Sequence, residues 1–413
     1  MSINLDVLIV GGGVQGLWLL NDLTGLGYSV LLLTKDPLGQ GQTLHSQLRI
    51  QGGHSFSDEP LVRRFREATN EHWRSFIERY PEVRAFGDSR LLFLYRSNER
   101  AIEQEETWRN KYQLNFQQYQ GNLLNNLPEA TSDSGIVLES DETWLDGQRL
   151  IAALISTTEV RQQICHGEVT EIILNNGSVQ KVRAMVNGND LSFKPKCLVL
   201  AAGDGNKPLL DNTIDGNKES LFARFNNFDN KNYTVLVVKG NIPPLTGFFQ
   251  EFGGLQIFSR MVDENEIVWL VPYEGIESRL QNEVEKVTRF LSQLRPSRSQ
   301  QDLLWGFYTG RKVEVTQEIQ PTGRGRKIAV EAVETCGVGN LFVALPSWLT
   351  LAPVVSRRIV DQITESIAPT TQMFNLQDHG LSSYNEIALE RWRTVDCSSW
   401  KQFREDNQLE EVY

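Results

Sequence analysis

The sequence predicts an α/β fold of two interleaved domains, and three observations carry that expectation. An apolar run of β type at residues 5–10 passes into Gly11-Gly12-Gly13-Val14-Gln15-Gly16, then a helical stretch to about Gly27, then a second apolar run at 29–34. Runs rich in β-branched and aromatic residues recur at 90–96, 233–239, 254–259 and 266–271, the composition of a half-buried sheet. The chain is 413 residues long, which exceeds one ordinary core, since a domain usually takes roughly 100 to 200.

The first of these elements is a Rossmann-like nucleotide-binding unit. Strand, glycine turn, helix and strand follow one another within about thirty residues, the context that gives a GxGxxG run its meaning. Gly11 permits the tight turn, Gly13 lets the backbone approach a pyrophosphate, and Gly16 lets the helix pack closely on the strand. The diphosphate then lies at the start of the helix, at Val14 and Gln15, where unpaired N–H groups and the dipole favour negative charge. The end of the second strand usually offers an acid to the ribose. Here that place is taken by Thr34, whose hydroxyl can bond a ribose hydroxyl, with Lys35 behind it.

The remaining elements follow in order. A charged helix over 60–76 is capped by Ser57 or Asp58, a hairpin turns at Asn176-Gly177, and 283–294 reads as a helix. Beyond Pro369 an acidic, Trp-containing tail suggests an appended helix or two around 384–392.

Composition excludes several classes. The chain is 40% hydrophobic and 23% charged with net charge −11, which is globular and lacks the clustered cations that a nucleic-acid backbone requires. No run reaches the roughly 18 apolar residues of a membrane helix, and the apolar start leads into glycines with no cationic leader or cleavage site, so a cytoplasmic location is expected. Cys165, Cys197, Cys336 and Cys397 lie far apart, and His45, His54, His72, His166 and His379 form no HxxxH or HxH spacing. No metal site is therefore indicated, and demanding chemistry would need a borrowed cofactor.

The stretch GQGQTLHSQLRIQGGHSF at 39–56 resembles the flavin-binding segment of the D-amino-acid oxidase, glycine oxidase and sarcosine oxidase superfamily. It is also similar to the HSxxIHxG segment of the 2-hydroxyglutarate oxidases. Three further blocks match in the expected order: Trp144-Leu145-Asp146 with its following helix, the hairpin at 166–188 leading to CLVLAAG at 197–203, and NLFVALPSWLTLAPVVSRRIV at 340–360. The resemblance implies FAD in a Rossmann-like domain of glutathione-reductase type, interleaved with a mainly antiparallel substrate domain. It places Thr43, His45, Ser46, Gln47 and Arg49 beneath the flavin, Val169 on adenine, Ala201, Ala202 and Gly203 along the dinucleotide, and Trp348, Leu349 and Thr350 at the flavin pyrimidine. The family's glycine-rich GHG-type loop is here the shorter Leu345-Pro346-Ser347-Trp348.

On this pattern the FAD-binding domain comprises 1–85, 140–225 and 315–368, the substrate domain 86–139 and 226–314, and 369–413 forms a C-terminal helical extension. Tyr308-Thr309-Gly310-Arg311-Lys312 resembles the family's GxRP segment, which assigns Arg311 to a substrate carboxylate and sets Tyr308 beside it. His54 or His45 could serve as base, because histidine titrates nearest neutrality. The function implied is hydride transfer from a small amine, amino acid or 2-hydroxy acid to flavin N5, with reoxidation by oxygen or another acceptor. Two alternatives stay open at the level of sequence: a flavoprotein subunit or maturation factor with a protein partner on the C-terminal extension, and an NAD(P)-dependent dehydrogenase using the same glycines.

Overall fold

The computed structural model describes residues 2–85, 91–95, 98–118, 136–213, 228–262, 266–274, 280–294, 299–317, 327–329, 331–370 and 374–410. Arg90 and Arg96, the ends of one expected strand, lie outside them. The chain divides into two compact units, each assembled from three segments: Met1–Leu44, Gly147–Lys231 and Arg311–Leu389 form the first, and His45–Asp146, Asn232–Gly310 and Glu390–Tyr413 the second.

The first unit is built on a parallel sheet. Its central strand, Ser2–Val10, lies between Val30–Thr34 and Asn189–Leu200, parallel to both, with Ile164–Asn175 and Leu341–Pro346 parallel beyond them. The central strand is buried along most of its length, as expected of a parallel sheet covered on both faces. Beyond the parallel part, Ile164–Asn175, Ser178–Val186 and Asn189–Leu200 continue as an antiparallel meander. Its first turn holds Asn176 at φ 51° and Gly177 at φ 72°, the left-handed pair that an Asn-Gly hairpin turn requires. Two long helices start where parallel strands end: Val14–Gly25 after the first strand and Ala352–Ser366 after Leu341–Pro346.

The second unit is built on a sheet ordered Leu304–Gln317 (to Gly310), Phe228–Gly240 (from Asn232), Ile267–Glu274, Leu255–Met261, Gly247–Phe249, Leu91–Tyr95, Ile136–Ser140 and Phe116–Gln118. Its neighbouring strands are mostly antiparallel, and Gly247–Phe249 runs parallel to Leu91–Tyr95. The helix Leu280–Gln293 buries Val284, Val287, Phe290 and Leu291 in one cluster with Trp269, Trp305 and Trp400. Asp58 caps the helix Glu59–Ala68 by accepting from the Leu61 amide at 3.1 Å.

Three differences from the sequence reading have local causes. Residues 45–85 cluster with the sheet unit instead of the nucleotide unit, because the 45–54 loop is anchored by side chains of that unit. Residues 374–389 cluster with the first unit and 390–410 with the second. No helix forms over 384–392 beyond a short turn at Arg391–Thr394. The backbone there pairs outward, with Leu38 donating to Glu386 O, Ala388 donating to Leu38 O and Tyr384 donating to Ile164 O. The tail's helix is Trp400–Asn407, capped by Ser399.

Candidate functional site

In the first unit the candidate site is the carboxyl edge of the parallel sheet, where strand order switches sides and ligands of such sheets bind. Val10 and Leu200 are paired, and Gly11 and Ala201 follow them out of the sheet. A Cβ on Gly11, which has φ +121°, would lie 2.5 Å from Ala201 O, and one on Gly16 would lie 2.0 Å from Gly11 O. These two glycines are demanded by the polypeptide itself, which presses the helix onto the strand. A Cβ on Gly12 would lie 2.7 Å from Thr34 Oγ1.

Gly13 is different. Its backbone, at φ −80° and ψ 176°, suits any residue, and an added Cβ would meet only Thr43 Oγ1 at 3.3 Å. Among the described residues only that tight contact with Thr43 bears on a side chain there, whereas a ligand laid against the turn asks for glycine.

Around this turn Thr43 Oγ1 accepts from the Val14 amide at 3.1 Å. Asn206 Oδ1 accepts from the Ala202 amide at 2.9 Å, and the next residue, Gly203, has φ +59°. Two side chains at this edge are buried without hydrogen-bond partners among the described residues: Gln15 at both amide atoms and Asn206 at Nδ2. Buried polar atoms are nearly always paired, so this edge fits a polar ligand such as a dinucleotide.

The other residues assigned to the cofactor are placed as follows. Thr34 Oγ1 donates to Asp36 O at 2.8 Å, and exposed Lys35 lies 3.7 Å from exposed Glu168. Val169 is buried in its strand. Trp348 carries Lys312 Nζ over its ring at 4.7 Å, and the turn Leu349–Leu351, with Thr350 buried, leads into the C-terminal helix. Arg311, assigned to substrate, is 70% exposed at its side chain and 3.6 Å from Asp204.

The second unit holds the loop 45–54, tied down from both ends. His45 O accepts from Tyr308 OH at 3.2 Å, Gln47 O from Arg260 Nη2 at 2.7 Å, and Leu48 O from the Leu145 amide at 2.9 Å. Ser46 Oγ accepts from the Leu48 amide at 3.3 Å. Leu48 sits at φ 55°, a left-handed conformation that an L-side chain takes only when its surroundings enforce it.

Glu142 organises the far end of the loop. Its Oε1 accepts from the amides of Gly52, Gly53 and His54 at 2.9, 3.1 and 3.2 Å and faces His54 Nδ1 at 3.1 Å. Its Oε2 takes Arg49 in a two-pronged ion pair. Burial alone would raise the carboxyl pKa; the Arg49 charge first, then the His54 hydrogen bond and charge, overcome this and bring it down to about 2. His54 Nε2 faces Asn115 O at 2.9 Å. Both ring nitrogens thus face oxygen atoms of the same unit. Trp108 meets the His54 ring edge-on at 4.9 Å, and the Arg49 guanidinium stacks 5.1 Å from the Phe248 centroid.

Sequence reasoning missed Glu142 and Arg260. Arg260 is buried in the strand Leu255–Met261, and its Nε has no partner among the described residues. Burial lowers its pKa, opposed by Glu390, then Tyr308 and Asp146. Burial raises the Tyr308 hydroxyl, opposed by Arg260, and likewise raises Tyr233, whose OH is also unpartnered among the described residues. An arginine in a strand with Leu255, Ile257, Phe258 and Met261 was the one visible signal, since an arginine is rarely buried unless its charge is used.

A glycine cradle at the switch point of a parallel sheet fits a dinucleotide-binding architecture. The chain belongs to the FAD dependent oxidoreductase family (DAO), whose model matches residues 6–300, and FAD is accordingly its cofactor, as the sequence reading expected. Among curated proteins it is 43% identical over 56 residues to the probable FAD-dependent oxidoreductase PA4991 of Pseudomonas aeruginosa, 14% of each chain. It is 23% identical over 293 residues to D-erythritol 1-phosphate dehydrogenase of Brucella abortus, 65% of this chain and 52% of that protein. The matches thus span about a seventh and about half of those relatives' lengths. The fold is similar to the crystal structure of PA4991 with TM-score 0.70 at 19% identity, covering 95% and 98% of the two chains. Further similar structures are L-α-glycerophosphate oxidase of Mycoplasma pneumoniae (TM-score 0.64, 19% identity, 89% and 97% covered) and glycine oxidase of Geobacillus kaustophilus (0.61, 18%, 93% and 100%). Among the described residues no helix is long and apolar enough to cross a membrane.

Proposed function

We propose that the protein is an FAD-dependent oxidase or dehydrogenase of a small anionic amine, amino acid or 2-hydroxy acid, with Arg260 as the residue that holds the anion. When bound, FAD supplies a flavin N5 that accepts hydride from a carbon bearing an amine or hydroxyl, leaving an imine or ketone. The observation that carries the anion is Arg260: a buried guanidinium that donates through Nη2 to Gln47 O and through Nη1 to Ser259 O, with Nε unpartnered among the described residues and Glu390, Tyr308 and Asp146 as its neighbours in charge. A planar fork in a dry site recognises carboxylate or phosphate through paired charged hydrogen bonds. The similar proteins named above, glycine oxidase, glycerophosphate oxidase and D-erythritol 1-phosphate dehydrogenase, support that class.

Arg311, exposed and beside Asp204, is the competing assignment, and its solvated setting weakens any pull on a substrate. His54, whose ring nitrogens face Glu142 Oε1 and Asn115 O, supports the loop. Tyr308 holds the same loop through His45 O.

Anaerobic loss of oxidised-flavin absorbance tests the reading against amines and alcohols with and without a carboxylate or phosphate. Only the anionic compounds are expected to bleach the flavin. Arg260→Lys keeps the charge and loses the fork, and Arg260→Met loses both. With the substrate found, Arg260→Met should lower kcat/KM by roughly thirty-fold to a thousand-fold, on the order of 2 to 4 kcal/mol for a charged hydrogen bond in a desolvated site, while Arg311→Ala stays within a few-fold. Equal bleaching by neutral analogues, or a larger loss in Arg311→Ala than in Arg260→Lys, removes Arg260 from the anion site.

A further inference from the structure

We propose that the side-chain amide of Gln15 is itself a ligand of FAD, bonding through both its donor and its acceptor to a group that offers the complementary pair; this rests on the reading of the first unit as the FAD cradle. Such groups on FAD are the pyrimidine edge of the flavin and the ribityl hydroxyls.

Gln15 stands in the first turn of the 12-residue helix Val14–Gly25, directly after the cradle glycines. It is 4% exposed, and neither Nε2 nor Oε1 has a partner among the described residues. Its neighbours on the helix, Val14, Leu17, Leu19 and Leu20, are apolar and buried. A leucine at position 15 would fill similar space without stranding an amide, and a buried unpaired amide is costly. Among the described residues nothing is gained from glutamine here, and a ligand outside the chain would complete the amide.

The helix geometry says where that partner lies. Residues 15, 19 and 22 share one stripe, and Asp22 on that stripe accepts from Ser356 Oγ of the helix Ala352–Ser366 at 2.7 Å. Both helices begin at the same edge of the sheet, because the strands that precede them are parallel members of it. Seven residues back along a helix is about 10.5 Å. This carries the seam from Ser356 to the level of the Leu349–Leu351 turn, the segment that precedes the C-terminal helix. The Gln15 amide thus sits where the first turn of one helix meets the start of the other. Asn206 Nδ2, the other unpartnered amide atom at this sheet edge, is a second sign that polar groups here are completed by a ligand.

The test uses purified holoenzyme stripped of flavin and titrated with FAD, read by quenching of flavin fluorescence, alongside melting curves of the stripped protein. Gln15→Leu should weaken FAD binding by about 10- to 100-fold, the factor for one or two hydrogen bonds lost from a buried site. The stripped variant should melt at or above the wild-type temperature, because a stranded amide has been removed. Gln15→Met, flexible and of equal length, gives the same readout if the leucine variant fails to fold. A weakened affinity with a shifted visible flavin spectrum or potential assigns the contact to the pyrimidine edge; weakened affinity with both unchanged assigns it to the ribityl chain. An unchanged Kd overturns the proposal and leaves a buried water as the amide's partner, and a melting temperature that falls in the stripped variant overturns it in favour of a structural role. Wild-type protein that takes up no FAD would instead sink the cradle reading itself.

Discussion

Replacing Glu142 with glutamine is the most informative single perturbation of the loop 45–54. The change keeps the shape, so one oxygen can still accept from the Gly52, Gly53 and His54 amides. The other position becomes an NH2 group facing the Arg49 guanidinium, donor against donor, and His54 loses the anion beneath Nδ1. The native fold holds the Glu142 carboxyl at about 2 against an ordinary 4.5, which at 1.36 kcal/mol per unit is roughly 3 kcal/mol in favour of the ionised form. Stranding a buried cation by removing its partner costs a similar ~3 to 5 kcal/mol. In a unit of about 200 residues each kcal/mol moves the melting temperature by roughly 2 to 4 °C, so Glu142→Gln should melt about 6 to 20 °C below wild type. The pH dependence follows from the depressed pKa. The wild-type contribution is fully present above pH 4.5 and is lost as pH falls through about 2, so the two proteins should converge in acid. Urea unfolding across a pH series measures both effects. A variant that melts with wild type at neutral pH, or a gap that persists undiminished in acid, would refute the idea that this carboxylate holds the loop.

Two further outcomes are expected. Gly13→Val should fold with nearly wild-type stability, since its backbone suits any residue, yet purify colourless, whereas Gly16→Ala should be destabilised by at least about 1 to 3 kcal/mol because its Cβ would meet Gly11 O at 2.0 Å; stoichiometric yellow FAD in the valine variant would contradict the cradle. Burial raises the Asp22 carboxyl to about 6, against the opposing pull of Ser356 and Arg357. Its contribution is therefore present below pH 3.8 and lost as pH rises through about 6, and Asp22→Asn should be more stable than wild type by roughly 3 kcal/mol at pH 7, the gap closing in acid; a pH-independent difference would show that Asp22 does not titrate with folding.

Legibility in the sequence followed the range of the interactions. The glycine turn, the hairpin at Asn176-Gly177 and the Asp58 cap are settled by neighbours in the chain, and they could be read directly. His54 could not, because what decides its state are Asn115 O and Glu142, 61 and 88 residues away. Glu142 itself, between Asp141 and Thr143, looks like any surface acid until the loop amides converge on it. The tail at 384–392 has helical composition, but its backbone is taken up by Leu38 and Ile164, an outcome no local pattern announces. Arg311 was assigned through a family segment, and its actual neighbour, Asp204, lies more than a hundred residues earlier.

The threefold division of each unit bears on how the molecule is made. The central strand Ser2–Val10 emerges from the ribosome nearly two hundred residues before its partner Asn189–Leu200, and Leu341–Pro346 follows later still. Neither unit is complete until residues beyond 380 have been synthesised. Folding must therefore close long loops before it gains their contacts, which makes it slow and leaves apolar strands exposed meanwhile. No contiguous half of this chain contains a whole unit, since the first runs from Met1 to Leu389 and the second from His45 to Tyr413, so trimming to an expressible half has no natural cut point, and a nascent chain stalled midway would carry a glycine cradle with half of its sheet missing.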